Sequence, residues 1–153
     1  MRMKRSVRTA ALLLIACASS VGSANACDDL AGKLLSRYLA PAIRSLGCSE
    51  LNRAGVDKSD HKLESVCYMS DGPTSSVRIV AALHCQTGDR AFIPVSLSER
   101  VTADAVVRGA DCIVQNVQLR PSGEIGKVLA RGLDLDGRAR KALQEGLAKL
   151  CGG

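Results

Sequence analysis

Six cysteines, Cys27, Cys48, Cys67, Cys85, Cys112 and Cys151, follow one another at intervals of 21, 19, 18, 27 and 39 residues. No C-x-x-C pair occurs among them, which removes the usual thiol-exchange motif and most zinc-cluster patterns. An even, widely spaced set predicts three disulfides, each contributing roughly 2 to 4 kcal/mol by restricting the unfolded chain. About 15 pairings are open to six cysteines, and geometry narrows them unequally. A straight helix between Cys27 and Cys48 would hold them about 30 Å apart, whereas a disulfide needs Cα atoms within about 7 Å. Cys67 with Cys85 is an imperfect match in a hairpin. Cys112 with Cys151 is the favoured pair, because each lies near the end of an apolar element.

Disulfides imply an oxidising compartment, and the start of the chain suits one. Arg2, Lys4, Arg5 and Arg8 precede an apolar run through Leu12, Leu13, Leu14, Ile15 and Ala16. Positive charge followed by a short apolar helix is the order of a secretory signal. "ANA", Ala24 to Ala26, is a signal-peptidase pattern that would leave Cys27 first, so residues 1–26 are expected to be a signal peptide and 27–153 a single α+β domain. A competing pattern, "LIAC", Leu14 to Cys17, is similar to the lipobox of bacterial lipoproteins and would lipidate Cys17. The expected location is periplasmic or secreted, with an outer-membrane lipoprotein as the alternative.

The whole chain has 21 Lys and Arg against 15 Asp and Glu. Four of those cations and none of the acids lie in residues 1–26, which leaves the remainder at +2 with neutral histidines. That balance does not call for nucleic acid as a partner. With one Phe, two Tyr and no Trp, the core must be aliphatic. Tyr38, Tyr68 and Phe92 are expected to pack in it or at its rim.

"CDDLAGKLLSRYLAPAIRSLGC" has helical periodicity, with Pro41 expected to kink or split it. Residues 49–62 are polar and are expected to form a loop. "LESVCYMS" (63–70), "SSVRIVAALHCQT" (75–87) and "RAFIPVSL" (90–97) are β-prone. A tight Gly88-Asp89 turn would set Cys85 opposite Phe92 and His84 opposite Ile93. The middle strand, apolar on both faces, is expected to be covered at least partly on both. Residues 98–110 are ambiguous, and we read them as a short helix. Ile113 to Leu119 reads as a strand, with Pro121 and Gly123 turning the chain into a further strand through Ile125, Val128 and Leu129. Asp136 caps a last helix with Ala139, Leu143, Leu147, Leu150 and Cys151 on its buried stripe. The expected fold is an antiparallel sheet of four to five strands packed by N-terminal and C-terminal helices and stabilised by disulfides.

His61 and His84 are the only side chains that ordinarily act as bases near neutral pH. His84 on a strand suits a structural role, and His61 in a polar loop suits solvation. His61, Cys67, His84 and Cys85 fit no standard ligand spacing, and disulfide formation would consume the thiolates; no metal or cofactor is expected. "GEIGKV", Gly123 to Val128, fails the phosphate-loop pattern at Pro121 and Val128. Asp57, Ser59 and His61 lack the glycine and closing carboxylate of a calcium loop.

The expectation is an exported envelope binding, inhibitor or accessory protein without its own catalytic centre. Its partner would be another envelope protein or a second copy, with membrane contact only through a lipidated Cys17. The alternative is a small periplasmic hydrolase or nuclease using His84, His61 or both, with Lys62 or Arg78 clamping a phosphate.

Overall fold

The computed structural model describes residues 26–48, 51 and 55–152. Residues 1–25, on which the expected signal segment and lipobox fall, lie outside that set. Helix α1 (Asp29–Arg44) starts where Asp28 accepts a hydrogen bond from the Ala31 amide at 2.9 Å. It continues through Pro41 without splitting, because its apolar stripe runs on through Ile43 to Leu46 and offsets the one lost hydrogen bond. A Cβ at Gly32 would stand 2.9 Å from the Val66 carbonyl oxygen, so only glycine lets α1 approach the sheet there.

Five antiparallel strands follow: β1 (Val56–Ser59), β2 (Lys62–Asp71), β3 (Thr74–Thr87), β4 (Ser96–Arg108) and β5 (Ile113–Pro121). β1 and β2 lie end to end along one edge of β3, with β4 and then β5 on the other side. Gly72, in the left-handed region at φ 63°, turns β2 into β3. Helices α2 (Glu124–Gly132) and α3 (Leu135–Cys151) complete the chain. This is the α+β arrangement the periodicities imply, and among the described residues no helix is long and apolar enough to cross a membrane.

Several local expectations are corrected. The polar stretch 49–62 contains β1. Residues 98–110 belong mostly to β4: Val101, Ala103, Ala105 and Val107 alternate into the core, and the period of two prevails over the weaker helical stripe. The segment after Pro121 forms α2, since Ile125, Leu129 and Leu133 recur at fourfold spacing whereas a strand would turn Lys127 inward. Residues 88–95 form a loop closed by Thr87, whose amide donates to Val95 O at 2.9 Å and whose Oγ1 accepts from Val95 N at 3.0 Å. Pro94 has no amide hydrogen for a ladder. Cys85 therefore faces Leu97 rather than Phe92, and His84 faces Ser98 rather than Ile93. An odd shift of this kind moves every β4 side chain to the opposite face.

The helices cover one face only. β3 sends Val77, Ile79, Ala81, Leu83 and Cys85 into the core, while on its other side Ser76, Val80, Ala82 and His84 are half-buried and Arg78 and Gln86 exposed, so the expected covering of the second face is only partial. The core has two adjoining parts, one around Leu35, Leu39, Leu143 and Leu147, the other around Cys48, Val56, Leu83, Leu129 and Leu133. The disulfides are Cys27–Cys67, Cys48–Cys85 and Cys112–Cys151.

Candidate functional site

The first candidate lies where β1 gives way to β2 along the edge of β3. Ser59 pairs with Cys85 and Lys62 with Ala82, which leaves Asp60 and His61 spanning the gap. The Asp60 amide donates to His84 O at 3.0 Å, and the His84 amide donates to His61 Nδ1 at 3.0 Å. The imidazole thus replaces the carbonyl that a continuous strand would have offered. It is 2% exposed, so the solvated loop histidine of the sequence reading is a buried structural one.

With Nδ1 accepting, the ring proton resides on Nε2, which lies 3.6 Å from Cys48 Sγ. Burial lowers the His61 pKa, and the nearby His84 adds to that. The Leu46 hydrogen bond and the charge of Asp60 oppose it without prevailing. Cys48, His61 and Cys85 bring their donor atoms within 4.8 Å of one another, all buried. Three such groups could ligate a soft metal or form a reactive thiol centre. In the oxidised protein both sulfurs belong to one disulfide, and the Nε2 proton occupies the lone pair a metal would need. Cys67, grouped with these residues by sequence reasoning, is instead bonded to Cys27.

His84 points the other way. On the open face of the sheet its Nδ1 is 2.5 Å from Ser98 Oγ and its Nε2 is 3.4 Å from Gln86 Oε1. The two histidines are linked through the His84 main chain and share no cleft. Arg78 is six residues away along β3, about 20 Å at 3.3 Å per residue, and its Nε is 2.7 Å from Asp104, which Arg120 also contacts. Burial pushes the Asp104 carboxyl up, but the hydrogen bonds and charges of Arg78 and Arg120 hold it below its ordinary value. Lys62 is closer to His84, since its strand partner is Ala82. In "GEIGKV" Lys127 pairs with Glu124 at 2.6 Å, at the first turn of α2.

The second candidate is an apolar cleft between α1 and α3 over the sheet. It holds a cavity of about 70 Å³. Five alanines, Ala42, Ala81, Ala103, Ala139 and Ala142, contribute to its walls, together with larger side chains such as Leu39, Leu83 and Leu135. The space exists because those five positions bear only methyl groups. Arg138 is the one charged residue of its wall among the described residues. A further feature is the hairpin tip: Phe92 is 105% and Ile93 74% exposed, so the sole phenylalanine packs neither in the core nor at its rim.

A family model described as Y4fE matches residues 15–151. The chain belongs to the Y4fE family. Neither the curated proteins nor the solved structures contain a significant match to it. Membership therefore brings no residue roles with it, and chemistry must be argued from the side chains. Sequence reasoning singled out both histidines but missed Cys48 beside His61, Ser98 beside His84, and the alanine-walled cleft. Ser98 could have been found only with the β3–β4 register in hand.

Proposed function

We propose that this chain is an exported envelope protein that binds an apolar group in the cleft between α1 and α3 and has no reaction centre of its own. The observation that carries the reading is the cavity of about 70 Å³ with apolar walls kept open by alanines. Protein interiors normally pack without such space, and its apolar walls give water few hydrogen-bonding partners. An entering apolar group gains contacts there without displacing water held by polar partners. The three disulfides suit a periplasmic or secreted setting, and lipidation at Cys17 would anchor the same domain to the outer membrane. The exposed Phe92 and Ile93 offer a contact for another envelope protein or a second copy.

The test is a calorimetric titration of the disulfide-bonded protein with an unbranched decyl chain, offered as 1-decanol and as decanoate. Saturable binding at one site, lost in Ala142→Leu with the fold retained, supports the reading. No binding, or binding indifferent to the filled cavity, overturns it.

A second reading, a small hydrolase or nuclease using His84 or His61, draws on the Cys48–His61–Cys85 cluster and on the Ser98–His84 contact. Ser98, His84 and Gln86 have the order nucleophile, base and orienting group. Lys62 and Arg100 flank them in the register and would favour an anionic ester. It ranks second because the amides of β3 and β4 are engaged in pairing, which leaves a developing oxyanion without main-chain donors. Loss of p-nitrophenyl phosphate or acetate turnover by a hundredfold in a folded His84→Ala or His61→Ala protein would replace the binding reading with this one.

A further inference from the structure

We infer that the occupant of the cleft is a single-chain amphiphile with an anionic head, its tail in the cavity and its head at Arg138. This rests on the binding reading above. The tail follows from size and polarity. An engineered cavity of about 150 Å³ accepts benzene, and this one, at about 70 Å³, is half that. A fused ring system or a branched group does not enter, whereas the end of an unbranched alkyl chain does. Among the described residues, every one lining the space apart from Arg138 is Ala, Leu, Ile or Val. A polar group carried inside would therefore lose its water without gaining a partner.

The head follows from what stands at the wall. Arg138 is exposed on the first turns of α3, one helical turn before Ala142 on the same side. It has a partner within the chain, but a guanidinium carries five donors and can serve two acceptors together. Its planar fork suits a carboxylate or a phosphate. Lys141, three residues on, shares that side of the helix and adds a second cation. Asp136, two residues away, faces elsewhere. The positive end of the α3 dipole adds to the preference for an anion.

The inference is tested by calorimetric titration of the disulfide-bonded protein with decanoate, 1-decanol and decyltrimethylammonium, all below their aggregation limits. The three share a tail and differ in head charge. Decanoate is expected to bind about tenfold more tightly than decanol, with the cationic compound weakest. Arg138→Gln should bring decanoate and decanol together while decanol still binds. Arg138→Lys, which keeps the charge and loses the fork, should retain part of the preference and serves if the glutamine variant does not fold. Ala142→Leu should abolish binding of all three. Equal affinity for all three heads, or a preference unchanged in Arg138→Gln and Arg138→Lys, overturns the anionic-head inference and leaves apolar binding standing. Failure of both decanol and decanoate to bind the parent protein removes both.

Discussion

Two of the three disulfides close loops of nearly equal length, 37 and 39 residues, in opposite surroundings. Cys48 and Cys85 are both fully buried, inside one part of the core and against the His61 ring. Cys151 is exposed at the end of α3, and Cys112 sits at φ 54° in the turn before β5. Beside them Gln144 donates to Cys112 O at 3.0 Å and accepts from the Val114 amide at 2.9 Å. On chain entropy alone each bond contributes about 4 kcal/mol. Any difference between them therefore isolates what burial adds, since the loops are matched.

The largest effect is expected from replacing Cys48 and Cys85 together by alanine. That variant should lose about 4 kcal/mol for the cross-link and a further 1 to 3 kcal/mol for the space left in a close-packed core. The Cys112 and Cys151 double alanine variant should lose only the first part. Urea unfolding of both proteins measures the gap, and equal losses would mean that burial of the inner pair adds nothing.

Next in size is Leu147→Ala, at roughly 2 to 5 kcal/mol, because Leu147 is wholly buried one turn before Cys151. If denaturant unfolding shows less than 1 kcal/mol, the rim disulfide and not side-chain packing holds α3 to the sheet.

The inner site should also respond to pH. His61 has a folded pKa below its ordinary 6.5 because of burial. Between those two values the unfolded chain binds the extra proton and the folded one does not, so stability falls as pH drops below about 6.5 and levels off past the folded value. Thermal melts across that window should show the slope in the parent and lose it in a folded His61→Asn variant, in which the amide oxygen can accept from His84 N. The Asp104 cluster acts lower: its depressed carboxyl pKa contributes stability that is lost as pH falls below about 3.8. The smallest expected effect is that of Gln144→Ala, about 1 to 2 kcal/mol for two main-chain partners left unpaired. It should grow in the absence of the Cys112–Cys151 bond if the two devices back each other up.

The contrast also separates what the amino-acid order makes visible from what it conceals. The Cys112–Cys151 bond was legible because each residue ends an apolar run that ordinary periodicity reveals. β3, with its unbroken apolar alternation, was equally plain. Cys48–Cys85 was not, since their meeting depends on β1 sharing an edge with β2, and β1 is four residues long with one buried side chain. The loop closed by Thr87 shifted the β3–β4 register, and with it the neighbour of His84. The cleft has no local signature at all. Its five alanines come from α1, β3, β4 and α3, and each taken alone is an ordinary small residue.

Because the helices lie against one side of the sheet, β3 and β4 are in effect two interleaved messages. Odd-numbered residues such as Val77, Leu83, Val101 and Val107 answer to the interior, while even-numbered ones such as Arg78, His84, Ser98 and Thr102 answer to solvent. A lineage carrying this fold can rewrite the second set with little effect on the first. New surface chemistry can thus be tried on a scaffold whose folding instructions stay unchanged.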